Sequence, residues 1–144
     1  MKLETLAAAC LALVTLTGCD TLGDDAIGPE GGVVISVDGR LTVDIPAGAL
    51  ADAIEITIEQ VDDEPEGALG PSYRVEPVGL VFETPVQVLY NYSAGGMDVA
   101  PEDVTLMVAR TDGWNELADR SVWDDEEIVS ASALYLSTFC AVER

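Results

Sequence analysis

Val33-Val34-Ile35-Ser36-Val37-Asp38-Gly39-Arg40-Leu41-Thr42-Val43-Asp44-Ile45 is the stretch whose reading decides the fold. On either side of Asp38-Gly39 apolar residues recur at every second position, the period of a pleated strand and not of a helix. Val33, Ile35 and Val37 fall on one side of the first strand, and Leu41, Val43 and Ile45 on one side of the second. Asp38-Gly39 suits a tight hairpin, because glycine accepts positive φ without steric cost and an aspartate side chain bonds nearby backbone.

Working outward, Pro46-Ala47-Gly48-Ala49-Leu50 closes the second strand, and Ile54, Ile56 and Ile58 then resume the two-residue period with Glu55, Thr57 and Glu59 facing away. Further short strands are expected over residues 73–76, 79–82, 86–92, 104–109, 114–117, 128–133 and 135–142, with Pro85 tolerated where a strand begins. The breaks between them carry turn chemistry: Asp62, Asp63, Glu64 and Glu66 around Pro65, then Gly95-Gly96, Asp112-Gly113, and Asp124 to Glu127. Many short strands without a long amphipathic helix predict an all-β fold, an antiparallel β-sandwich over residues 33–144.

Residues 1–18 stand apart. Lys2 and Glu4 precede an apolar run from Leu6 to Thr17, too short for an ordinary membrane span and suited to the core of a signal peptide. Leu16-Thr17-Gly18-Cys19 resembles the bacterial lipoprotein signal, which implies cleavage before Cys19 and acylation of its thiol, with palmitate among the chains carried. Asp20 resembles the residue that sorts enterobacterial lipoproteins to the inner membrane, a rule that is not general, so inner and outer membrane both stay open. Residues 19–32, acidic and glycine-rich, read as the lipidated terminus and a flexible tether.

The chain has 144 residues with 27 acids against 6 bases, a net charge of -21, and no histidine. Removing residues 1–18 takes one lysine and one glutamate and leaves that charge unchanged. Such a field opposes nucleic acid and favours cations or basic partners. Cys10 leaves with the signal and Cys19 is acylated, so Cys140 has no internal disulfide partner and is expected as a buried small hydrophobe. Trp114 and Trp123 read as packing or partly exposed sandwich-edge residues and not as a ligand platform. Asn91-Tyr92-Ser93 matches a glycosylation acceptor only formally in a chain with a bacterial signal.

Gly31-Gly32-Val33, Gly39, Leu41, Val43, Ile45-Pro46-Ala47-Gly48-Ala49-Leu50, Pro77-Val78-Gly79-Leu80-Val81-Phe82, Pro85-Val86, Trp114 to Leu117 and Ser137-Thr138-Phe139-Cys140 occur in an order and spacing that resemble a ZU5-like domain. The resemblance spans most of residues 31–142 and implies a β-sandwich interaction module. Some ZU5-like adaptors cleave themselves before the serine of a His-Phe-Ser motif, and the matching positions here are Thr138, Phe139 and Cys140. Cys140 could stand in as the nucleophile, but Thr138 supplies no base and the chain holds no imidazole.

The carboxylates are too numerous for any pair to mark a hydrolase. Asp62, Asp63, Glu64 and Glu66, or Asp124, Asp125, Glu126 and Glu127, offer oxygen ligands for calcium without an EF-hand pattern, so no cofactor is assigned and weak calcium binding is the only metal expectation. The leading expectation is a noncatalytic interaction or structural module, not an enzyme, lipid-anchored in the bacterial cell envelope through membrane lipid and facing an envelope protein or basic partner. The alternatives are an autoproteolytic domain cleaving before Cys140 and a carboxylate-dependent hydrolase.

Overall fold

The computed structural model describes residues 26–93 and 99–144. Twelve strands follow in chain order: β1 (Ala26–Ile27), β2 (Gly32–Ile35), β3 (Leu41–Ile45), β4 (Ile54–Glu55), β5 (Thr57–Val61), β6 (Ser72–Glu76), β7 (Val81–Asn91), β8 (Val104–Arg110), β9 (Gly113–Glu116), β10 (Ala118–Trp123), β11 (Ile128–Tyr135) and β12 (Thr138–Glu143). One five-stranded sheet has the order β10-β11-β7-β3-β2 and the other β5-β6-β12-β8-β9, while β1 and β4 form a two-stranded ribbon. The fold is all-β and its strand pairs are antiparallel, as the alternation predicts.

A single apolar cluster draws on both five-stranded sheets: Leu41, Val43, Val86, Val88, Tyr90 and Val129 from one, Tyr73, Val75, Leu106, Val108 and Phe139 from the other. Removing these side chains from water is the dominant favourable term in folding. Leu136 and Ser137 carry the chain from one sheet into the other, and backbone bonds hold the crossing on both sides. Leu136 N–H donates to Leu80 O (2.9 Å), Gly79 N–H to Leu136 O (2.8 Å), and Val75 N–H to Ser137 O (2.9 Å). The Ser137 hydroxyl donates to Ala109 O at 2.7 Å.

Several expectations shift in the structure. Val33, Ile35 and Val37 do share a side, but it is the solvent side, with Val33 52% and Ile35 57% exposed. Val34 lies opposite Val43 and Val33 opposite Asp44, so the register turns Val34 toward the core. The hairpin turn is also longer than an Asp-Gly pair: Gly39 N–H donates to Ser36 O and Ser36 N–H to Leu41 O, both at 2.9 Å. Gly39 supplies the left-handed conformation this turn needs, with φ 77°.

The strands expected over 79–82 and 86–92 are one strand, β7. Its register against β11 slips between Ala133–Val86 and Tyr135–Val81, and exposed Pro85 sits in the irregular part, where a missing N–H does no harm. β10 was not expected at all, because an exposed edge strand reading Ala-Asp-Arg-Ser-Val-Trp lacks a clear apolar period. The flexible-tether reading of residues 19–32 fails over its second half. Ala26 and Ile27 pair with Glu55 and Ile54, Ile27 is buried, and Gly32 already belongs to β2.

The strand directions give the molecule two ends. The proximal end, where Ala26 joins the fold, holds the segment 46–53, the loop 77–80, the tip of the β8–β9 hairpin and the crossing at Leu136-Ser137. The distal end holds the β2–β3 turn, the loop 62–71 and the one-turn 3-10 helix Asp124–Glu126. Leu136 is fully buried, so Leu136→Ala should destabilise the domain by about 2–5 kcal/mol. Ile35→Ala should stay within about 0.5 kcal/mol of wild type, both read from urea unfolding midpoints. Similar losses for the two would contradict the outward placement of Ile35.

Candidate functional site

Cys140 lies in β12, which runs between β6 and β8. Phe139 faces Tyr73 on one side and Val108 on the other, Cys140 faces Met107, and neither Phe139 nor Cys140 has exposed surface. The thiol donates at 3.5 Å to the carbonyls of Gly70 and Ala141, so the expected buried cysteine is what the structure holds. The Ser72 hydroxyl, buried without a protein partner of regular geometry, sits beside it. Burial pushes the thiol up to about 11; Ser72 offsets part of this and Glu64 adds to it. Protonated at neutral pH and enclosed in a sheet, Cys140 is a poor nucleophile. The Phe139-Cys140 bond runs through regular paired strand, with no left-handed residue at either position.

The densest polar network sits at the distal end. The Asp38 carboxylate accepts from the Ser36 hydroxyl at 2.7 Å, the Arg40 N–H at 3.2 Å and the Tyr73 hydroxyl across the core. Ser36 Oγ also accepts from Leu41 N–H at 3.0 Å. Tyr73 packs against Tyr90 with ring centroids 5.9 Å apart, and the Tyr90 hydroxyl donates to Pro71 O at 2.7 Å. Burial alone would raise the Asp38 carboxyl, but the bonds from Tyr73, Ser36 and Arg40 N–H, with the Arg40 charge, outweigh it and hold the group below its ordinary range. Burial and the same carboxylate hold the Tyr73 phenol well above its usual value. The network thus ties the turn of one sheet to β6 of the other.

Beside it a groove of about 360 Å³ runs between the β2–β3 turn and β5, lined by Ser36, Val37, Asp38, Ile58, Glu59, Gln60 and Tyr73. Both edge strands open here, and Glu59 stands at the rim in an ion pair with Arg74 at 2.7 Å. The groove offers hydrophobic side chains, a preformed carboxylate and uncovered strand edges, which is the equipment for an extended, donor-rich ligand.

Leu16, Thr17, Gly18, Cys19 and Asp20 lie outside the described residues. Asp62, Asp63, Glu64 and Glu66 are exposed on the loop between β5 and β6, and Asp124, Asp125 and Glu126 are exposed on the turn between β10 and β11. Glu127 ends that turn in the left-handed conformation, φ 53°. Among the described residues no three carboxylate, thiol or imidazole groups converge as a metal cage would require. No helix among the described residues is long and apolar enough to cross a membrane. Trp114 is half-buried, and Trp123 is 46% exposed at the distal end of the edge strand β10, the packing and sheet-edge placements expected of them.

Ser36, Arg40 and Tyr73 were not marked as site residues by the sequence. The signal available was only Asp38 in its turn, since the tyrosine that completes the network lies 35 residues away. No protein-family model matches the chain, and neither does any curated protein.

The Asp38 network has a pH signature. Because the folded carboxyl is depressed, its stabilisation is complete above the unfolded pKa near 3.8 and is lost as pH falls through the lower folded value. Tyr73→Phe should therefore cost about 1.5–3 kcal/mol at pH 7. The difference from wild type should shrink as pH falls below about 4, when the wild-type carboxylate protonates as well. A constant difference in urea unfolding between pH 7 and pH 3 would contradict this role.

Proposed function

We propose that the chain is a lipid-tethered, noncatalytic interaction module of the bacterial cell envelope, an antiparallel β-sandwich of the ZU5-like type that receives a basic, extended partner segment at its distal end. The observation that carries the reading is the Asp38 groove. It sets an ionised, prebonded carboxylate beside two open strand edges, at the end farthest from where Ala26 joins the fold.

Two sheets sharing one apolar cluster support the sandwich. The order of motifs from Gly31 to Cys140 supports the ZU5-like type, and Leu16-Thr17-Gly18-Cys19 supports lipidation. A buried, protonated Cys140 and a chain without histidine favour binding over self-cleavage. Scattered, solvated carboxylates give no support to hydrolysis. Of the five arginines, Arg40, Arg74 and Arg144 pair with carboxylates and Arg120 donates to the carbonyls of Pro101 and Val104. The field felt by a partner is consequently that of carboxylates, which speeds association with cations and weakens as salt rises.

Titration with a short lysine-rich extended peptide tests the reading. Amide resonances of residues 36–40 and 58–60 should shift, salt should weaken the effect, and Asp38→Asn with Glu59→Gln should reduce affinity about tenfold, the equivalent of ~1.4 kcal/mol. Intact mass of the envelope-extracted protein should show acylated Cys19 with residues 140–144 retained. Shifts confined to other surfaces would sink the groove. A Cys140–Arg144 fragment lost on Cys140→Ala would establish self-cleavage instead.

A further inference from the structure

The proximal end differs from the rest of this acidic surface. Val78 is 53%, Val81 69% and Leu134 52% exposed there. Val78 borders a shallow cavity of about 480 Å³ shared with Arg110, Tyr135 and Leu136. Leu134 and Pro85 border a second depression that also takes in Arg110 and Tyr135, with Glu116 and Asp119 in its lining. Val81 lies opposite Tyr135 in the sheet. The Arg110 guanidinium stands over the Tyr135 ring, 5.6 Å from its centroid. It is the one arginine among the described residues without a carboxylate or carbonyl partner. Both acid runs, Asp62 to Glu66 and Asp124 to Glu127, are at the opposite end.

We infer that this proximal end is a membrane-docking face, lying against the bilayer that holds the chain's own anchor, with Val78, Val81 and Leu134 entering the headgroup region and Arg110 meeting lipid phosphate. The inference rests on the lipid-anchor reading. From Cys19 to Ala26 the chain advances seven residues, so the fold is held within about 25 Å of the acylated terminus at ~3.5 Å per residue. A tether that short makes contact with the bilayer intramolecular, and a patch too small to hold a free protein on a membrane is then sufficient. Charge selects the orientation. Glu30, Asp52, Glu76, Glu83, Asp112 and Asp119 remain at the proximal end as separate charges, whereas the two continuous runs at the distal end would meet an anionic surface less favourably. An arginine over an aromatic ring, bordered by aliphatic side chains, has the composition of a membrane–water interface.

Amide hydrogen exchange on the lipidated mature chain tests this, in vesicles of phosphatidylethanolamine and phosphatidylglycerol against detergent micelles. Residues 78–80 and 111–113 should exchange more slowly in vesicles, on the order of tenfold, while residues 36–40 stay unchanged. Val78→Asp with Leu134→Asp, both exposed positions, should abolish the difference while Cys19 keeps its lipid mass. Arg110→Gln should reduce it in these vesicles and have no effect in phosphatidylcholine alone. Equal exchange in vesicles and detergent, with the lipid mass present, overturns the docking face. Absence of the lipid mass overturns the anchor. The same exchange measured on mature chain coupled through the Cys19 thiol to a maleimide-bearing lipid in the vesicles then decides the face, with protection retaining it and none rejecting it.

Discussion

The crossing at Leu136-Ser137 is the constraint on which the rest depends. Leu136 is fully buried, and the backbone around it bonds to Leu80, Gly79 and Val75, while Ser137 reaches Ala109. These bonds join the ends of β6, β7, β8, β11 and β12 at one place, so the two five-stranded sheets are set relative to each other before any surface feature is considered. A buried crossing with unpaired peptide groups would be costly, and the bonds made by Leu136 N–H, Leu136 O and Ser137 O offset that cost where the chain passes between the sheets. Because Cys140 follows three residues after Ser137, the same crossing delivers it to the interior of a sheet.

From this frame the distal network and the proximal patch acquire opposite characters. At the distal end β2, β3 and β6 bring Ser36, Asp38 and Tyr73 together, and the carboxylate is held ionised by donors from both sheets. At the proximal end the loops after β6 and between β8 and β9 leave Val78 and Arg110 uncovered. Burial and hydrogen bonding thus give one small domain a distal end built around a bonded carboxylate and a proximal end where aliphatic side chains and Arg110 lie exposed among separate acids.

Much of the fold was legible from alternation. The strands around Leu41 to Ile45 and Ile54 to Ile58 are where the period places them, because one of their faces is polar and the phase is unambiguous, while Val104 to Ala109 is marked as a strand by its apolar run between turns. Phase failed at Val33-Val34-Ile35, where both faces are apolar and only the register against Val43 decides which is inside. β10 was invisible because an edge strand needs little hydrophobicity, and β7 was split because Pro85 imitates a boundary. The burial of Cys140 followed from its apolar neighbours. The site did not follow, since Asp38 and Tyr73 meet only through tertiary structure, and no spacing in the chain announces a contact across 35 positions.

The central claim is that the chain stands on the membrane by one end and presents the other, and its two tryptophans form a ruler for it. Trp114 lies one residue from the start of β9 at the proximal end, and Trp123 pairs with Ile128 at the distal end. Strand rise places them about 20 Å apart along the molecule. Lipidated Trp114→Phe and Trp123→Phe proteins, each with one tryptophan, can be compared in bilayers carrying a quencher at headgroup level. The account predicts strong quenching of Trp114 and little of Trp123. Equal quenching, or stronger quenching of Trp123, would contradict it.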